Sequence, residues 1–246
     1  MIRVIPSLLT NGNLHFVGQK FGQLRTVGSI QQAIRLNSRR DVDELMILDP
    51  MASREGRSIS IELVERCAKE LRIPLTVGGG IISVSEVATL MYAGADRICL
   101  GNGIHQRTGL LSKISKEFGR QAVIVAVNVR RTSIGWEIYK DGTYQSCNLP
   151  EFVKELDGNG AGELLLQNTE RDGTRNGVDI ELIETVRSST DVSLIASCGL
   201  SSPEDAIGAV RSGANAVAAG SLFQFTSVTP DLVKKALSDA GYDVRK

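Results

Sequence analysis

The chain repeats itself at one fixed spacing. Residues 73–83 (IPLTVGGGIIS) match residues 192–202 (VSLIASCGLSS), and residues 92–104 (YAGADRICLGNGI) match 211–223 (RSGANAVAAGSLF). Glu44-Leu45 matches Glu163-Leu164, and in every case 119 residues separate the partners. One offset held over most of the chain means two copies of one supersecondary design, roughly residues 1–120 and 121–246. No Pro/Ser-rich linker divides the copies, so a single domain over residues 1–246 is expected. The repeat also pairs Leu9 with Asn128, each closing a β-rich run. Neither can act as a general base, because leucine does not ionise and an amide has no useful pKa.

Short β-rich runs at 3–9, 45–49, 75–78, 97–101, 123–128, 163–168, 193–197 and 216–220 alternate with amphipathic stretches such as 61–71 and 180–187. Eight strands, each followed by a helical segment, call for parallel βαβ units. Nearly continuous apolar strands fit a sheet covered on both faces. A length of 246 residues is close to the ~250 typical of a (β/α)8 TIM barrel. The expected fold class is therefore α/β, a single TIM barrel with a two-fold half-barrel repeat. A doubly wound open sheet is the alternative, but it leaves the repeat unexplained. Residues 133–146 (SIGWEIYKDGTYQS) interrupt the pattern and alternate around Asp141-Gly142, a hairpin signal after strand five. A surface ribbon is expected there, with Trp136 as its one candidate for contact with a partner or substrate.

Equal numbers of acidic and basic residues, 28 each, leave no global field for nucleic acid or an acidic membrane. Aromatic residues at 4% supply no stacking stripe for nucleic acid. No apolar run reaches the ~18 residues of a membrane span or the form of a signal peptide. Cys67, Cys99, Cys147 and Cys198 are scattered without a CxxC, as expected of reduced thiols in a cytoplasmic protein. His15 and His105, without a carboxylate cluster, make no metal site, and no cofactor is implied. Both are expected to be surface loop residues.

In a TIM barrel, function gathers at the C-terminal strand ends, and phosphate commonly binds after strands seven and eight. Gly199 and the Gly220-Ser221 pair fall there, where small residues admit an anion to backbone N–H groups. The repeat supplies a second cradle opposite, from Gly80 and Gly101-Asn102. Two cradles across one mouth would suit an elongated bisphosphate ligand. Asp172 and Gly173 after strand six add a polar loop at the same mouth. Each glycine turn has a plainer alternative, a tight turn or helix entry with no ligand.

The segments VIPSLL, DELMILD, IPLTVGGGI, AGADRI, GAGELLL, RDGT and GSLFQF resemble the cyclase subunit of imidazole glycerol phosphate synthase, the HisF family, over essentially the whole chain. That resemblance implies a (β/α)8 barrel working with a HisH-like glutaminase. Ammonia would pass through the barrel to a bisphosphate substrate at its mouth. The family's entrance ring maps to Arg3, Glu44, Arg97 and Glu163, with both charge signs kept, and an aspartate near the glutaminase interface maps to Asp96. The same resemblance exposes departures: the family's essential aspartates stand at the positions of Leu9 and Asn128, and a loop lysine at that of Val17, with Lys20 three residues on.

Loss of the acid–base pair beside a retained ring implies, by resemblance, the branch associated with glycosyl amidation. A member would pass ammonia to an acceptor enzyme in surface-polysaccharide synthesis. Three alternatives stand beside it. One is a working cyclase, which needs another base that the sequence does not point out. Another is a catalytically dead scaffold sensing a phosphate ligand. The last is a phosphoribosyl isomerase of the HisA type.

Overall fold

The computed structural model describes residues 1–140 and 142–245. Its strands, in chain order, are β1 (Arg3–Thr10), β2 (Leu14–Val17), β3 (Arg25–Ser29), β4 (Leu45–Leu48), β5 (Leu75–Gly78), β6 (Arg97–Leu100), β7 (Val123–Thr132), β8 (Gly135–Lys140), β9 (Thr143–Cys147), β10 (Glu163–Asn168), β11 (Ser193–Ser197) and β12 (Ala216–Ala219). Eight of them pair in parallel in the order β10-β11-β12-β1-β4-β5-β6-β7, and β7 returns to β10. The sheet therefore closes into the expected TIM barrel, with no parallel edge left open.

The repeat persists in local chemistry. Helices α3 (Val84–Tyr92) and α8 (Pro203–Arg211) are counterparts, capped by the hydroxyls of Ser83 and Ser202. In each, a carboxylate three residues on turns back to accept a backbone N–H, Glu86 from Ile82 and Asp205 from Ser201. That reciprocal arrangement satisfies amide groups a helix start leaves without partners. Just before β6, Asp96 accepts the Leu75 N–H at 2.8 Å; just before β12, its mate Asn215 accepts the Leu194 N–H at 3.0 Å.

The antiparallel ribbon β8–β9 does follow strand five, but it does not break the pattern. A second ribbon, β2–β3, follows β1 in the first half, where no strand was expected. The stretch between residues 10 and 29 is rich in Gly, Asn and Gln, which hides its alternation. Asp141, half of the turn signal between β8 and β9, lies outside the described residues. Trp136 is 7% exposed, packs into the main apolar core and lies under the Arg131 guanidinium. It is an anchor for the ribbon rather than an open contact residue. No helix among the described residues is long and apolar enough to cross a membrane.

Two apolar clusters hold the barrel. The larger lies between strands and surrounding helices; the smaller fills the interior with Ile5, Met46, Cys99, Ile124, Leu165, Ile195, Ala216 and Ala218. Each fully buried Ile or Leu contributes about 1.5–3 kcal/mol relative to exposure.

Candidate active site at the barrel mouth

The C-terminal strand ends surround a cavity of about 360 Å³. Leu9, Asn128, Gly80, Gly101, Asn102 and Asp172 all line it, brought together from β1, β7, the turns after β5 and β6, and the loop after β10. Leu9 and Asn128 thus face one space from opposite halves. The Oδ1 atoms of Asn102 and Asn128 are buried without a hydrogen-bond partner. Two orphan acceptors in one cavity are an unusual concentration, since most buried polar atoms are paired. They fit a ligand carrying O–H or N–H donors.

Residues not singled out from the sequence complete the lining. Asp49, just past β4, has a fully buried side chain that accepts from the N–H groups of Met51 and Ala52 and, at 2.6 Å, from Arg57. The Asp49 carboxylate raises the Arg57 pKa in return. Phe21 meets Tyr139 edge-on, and Arg54 donates to the Tyr139 hydroxyl, so the turn of the β2–β3 ribbon and the β8–β9 ribbon meet over the mouth. Asp49 had a sequence signal, a carboxylate one residue beyond a strand end. Tyr139 and Phe21 had none, because their approach depends on two ribbons folding toward each other.

Asp172 lies beneath that roof. Its Oδ2 accepts from the Phe21 N–H at 3.5 Å and its Oδ1 from the Cys198 thiol at 3.6 Å. Burial pushes its pKa above the ordinary aspartate value, and these two contacts only partly oppose the shift. Burial also drives the Cys198 thiol well above its usual range and the Cys99 thiol to about 12. All four cysteines are free, and at neutral pH these two are protonated.

The glycines divide into two kinds. A Cβ on Gly80 would stand 1.8 Å from the Arg57 carbonyl oxygen, and one on Gly199 would stand 2.2 Å from that of Gly177; both have positive φ. Close backbone packing alone explains them. Gly101 has no heavy atom within 4 Å of where its Cβ would stand, so its bareness keeps the cavity open. Gly220, immediately before the short helix Ser221–Phe225, packs against Ser7; neither it nor Gly199 or Ser221 lines this cavity.

A second cavity of about 430 Å³ adjoins the turn of the β2–β3 ribbon, lined by Val17, Gly18, Gly173, Arg25, Arg175 and Phe225 among others. Arg25 lies over the Phe225 ring, and among the described residues neither Arg25 nor Arg175 has a carboxylate partner. Lys20 lines neither cavity, although its neighbours Gln19 and Phe21 line one each, and it pairs with Glu170 at 3.5 Å. His15 is 3% exposed within β2, and desolvation lowers its pKa, which corrects the expectation of a surface loop. His105 stacks on Phe152, outside the mouth. Among the described residues, no three His, Cys, Asp or Glu side chains converge as metal ligands.

At the opposite end, Arg3, Glu44, Arg97 and Glu163 form a closed ring. Arg3 donates to Glu44 at 2.7 Å and to Glu163, Arg97 donates to Glu163 and lies 3.7 Å from Glu44, and the Thr76 hydroxyl donates to Glu44. Two cations and two anions cancel, which is what makes such burial tolerable. The apolar interior cluster separates this ring from the mouth cavity. Asp96 stands exposed at the ring's end of the barrel, already holding the start of β5.

Comparison with known proteins matches the chain to the family described as "Histidine biosynthesis protein" over residues 3–229. It is 37% identical to imidazole glycerol phosphate synthase subunit HisF of Beutenbergia cavernae, over 99% of this chain and 98% of that one. It is 39% identical to the subunit of the same name from Corynebacterium glutamicum, covering 100% and 98%, and 37% identical to that from Dictyoglomus thermophilum, covering 99% and 98%. By fold, by the extent of these matches and by the barrel they span, the chain belongs to the histidine biosynthesis protein family and is HisF-like.

Proposed function

We propose that this barrel receives ammonia from a HisH-like glutaminase docked at its ring end and joins it to a phosphorylated ligand at the mouth. The observation that carries this reading is the stacking, along one barrel, of a charge-compensated ring, an apolar layer and a cavity with unpaired polar atoms. Neutral ammonia crosses an apolar layer far more readily than ammonium, whose desolvation is prohibitive without a partner. Arg25 and Arg175, without a carboxylate partner among the described residues, supply positive charge for a phosphate beside the mouth.

For the acceptor chemistry, the names of the relatives favour imidazole glycerol phosphate synthesis, so the cyclase takes precedence over sugar amidation. Leu9 and Asn128 favour a second reading, delivery of ammonia to a sugar acceptor held by another enzyme, because neither exchanges a proton. Both share the glutaminase. The test is to purify the chain with a HisH-type glutaminase from the same source and follow glutamine hydrolysis. Formation of a complex with stimulated hydrolysis is expected; no complex and no stimulation at micromolar protein would remove the shared basis.

A further inference from the structure

We propose that Arg54 and the Tyr139 hydroxyl form an anion-binding pair at the rim of the mouth, holding one phosphate of a ligand whose other phosphate lies at Arg25 and Arg175. This deepens the reading above, that a phosphorylated ligand occupies the mouth, and rests on it.

Among the described residues, three charged side chains line the mouth cavity: Asp49, Arg54 and Asp172. Asp172 comes from the loop after β10, in the other half of the barrel from Arg54. Residues 49–57 carry two carboxylates and two guanidinium groups, and these are shared unevenly. Arg57 donates to Asp49 at 2.6 Å and pairs with Glu55 at 2.7 Å. Both carboxylates are thereby bonded to one arginine. Arg54 is exposed at the edge of the cavity and has no carboxylate partner among the described residues. Two other cations stand near without facing the mouth: Lys20 pairs with Glu170, and Lys140, at the end of β8, lines neither cavity.

The one hydrogen bond that Arg54 makes from its side chain gives the site its form. Its Nη2 donates to the Tyr139 hydroxyl at 3.0 Å. A hydroxyl that accepts still has its own proton to give. Tyr139 lines the same cavity, and its ring meets Phe21 and Tyr144 edge-on, with centroids 5.9 and 5.2 Å away. Ring packing and the guanidinium together hold the hydroxyl in place. The pair therefore presents the remaining guanidinium N–H groups and one O–H at one edge of the mouth. A guanidinium fork meets two phosphate oxygens side by side. The hydroxyl then serves the third oxygen, which a carboxylate lacks.

The inner wall of the mouth suits a different part of the ligand. The unpaired Oδ1 atoms of Asn102 and Asn128 accept N–H or O–H groups and repel phosphate oxygens. Leu9 and Ala126 add apolar surface, and Gly101 leaves room. Gly18 lines both cavities, so the mouth adjoins the space lined by Arg25 and Arg175. Cations thus stand at the rim and in the adjoining cavity, while neutral acceptors face the interior. That pattern fits an elongated ligand with a phosphate at each end and N–H or O–H donors along it.

The test is calorimetry on the full-length protein in ammonium-free buffer, with the ribulosyl-formimino bisphosphate substrate on which the HisF resemblance bears. Without ammonia only binding is read. Arg54→Gln keeps an N–H for the Tyr139 hydroxyl but removes the charge, and is expected to weaken binding about 10–100-fold. Arg54→Lys, which keeps the charge, is expected to lose only a few-fold, and Tyr139→Phe about three- to tenfold. The Arg54→Gln loss is expected to shrink as salt rises from about 50 to about 500 mM, because the lost term is electrostatic at an exposed site. A residue that only braced the ribbon would show neither the salt dependence nor the rescue by lysine. Arg54→Gln within twofold of wild type, or a loss indifferent to salt, overturns the proposal. Arg25→Gln separates this result from the broader reading. If it leaves binding unchanged while Arg54→Gln weakens it, the rim pair stands and the other phosphate lies elsewhere. A wild type that binds no bisphosphate at millimolar concentration overturns the broader reading and the pair with it.

Discussion

Replacing Glu163 by glutamine separates charge from packing in the entrance ring. The side chain is 8% exposed and accepts from both Arg3 and Arg97, so the change keeps its volume and removes one of two anions. The ring goes from neutral to a net single positive charge, with Glu44 left to serve both guanidinium groups. Breaking a buried pair by removing one partner costs about 3–5 kcal/mol. Arg3 and Arg97 keep 18% and 23% of their side-chain surface, so water recovers part of the loss and the low end, about 3 kcal/mol, applies. For a chain of this length, Tm then falls by about 6–12 °C. Urea denaturation with an unchanged m-value gives the free energy directly. A cycle with Arg97→Met is expected to show coupling of about 1–3 kcal/mol. A loss below about 1 kcal/mol for Glu163→Gln, or additive single effects, would refute the claim that the four charges act as one compensated unit.

Four further outcomes follow from particular geometry. Gly80→Ala forces a contact with the Arg57 carbonyl and strains a positive φ, so it destabilises by more than about 2 kcal/mol, whereas Gly101→Ala stays within about 0.5 kcal/mol in denaturation yet weakens bisphosphate binding by calorimetry. Asp172 is raised in the folded state, so the native protein binds its proton more tightly and loses stability as pH rises above the unfolded value of about 3.9. Asp172→Asn is accordingly more stable than wild type at pH 8, by a margin that vanishes below about pH 4; a Tm difference independent of pH contradicts this. Iodoacetamide at pH 8 leaves Cys67, Cys99 and Cys198 unmodified in the native protein, as mass spectrometry would show, since all three are buried and their thiols raised. With a glutaminase attached, Glu44→Ala or Arg97→Ala uncouples glutamine hydrolysis from product formation; unchanged coupling in both contradicts a conduit through the ring.

Much of the fold was legible because the repeat is written in local chemistry. Ser83 and Ser202, Asp96 and Asn215, and Glu44 and Glu163 mark equivalent corners, the serines capping their own helices and the other four side chains bonding across to other strands. The eight strand positions follow from apolar runs that period-two sterics and two-sided burial demand. The β2–β3 ribbon was hidden because its pairing partner is the end of β1, not a neighbouring apolar run. Glycine positions were legible but their purposes were not: Gly199 and Gly101 look alike in sequence, and only the surrounding backbone tells a tight turn from an open wall. The status of Asp172 is likewise a three-dimensional fact. In sequence it is one residue of a polar loop grouped with a phosphate cradle; in the barrel it lines the mouth cavity, held by the Phe21 N–H from the β2–β3 turn and the Cys198 thiol from the end of β11.

The most direct test of the account is a turnover assay of the unmodified chain alone, with ribulosyl-formimino bisphosphate and a high concentration of ammonium chloride near pH 8.5. Free ammonia replaces the glutaminase, so only the chemistry of the mouth is measured. Formation of imidazole glycerol phosphate, depending on ammonia concentration, is the predicted result. Absence of product, while the bisphosphate still binds and a glutaminase is still stimulated, would contradict cyclisation at this mouth and leave delivery to a separate acceptor enzyme in its place.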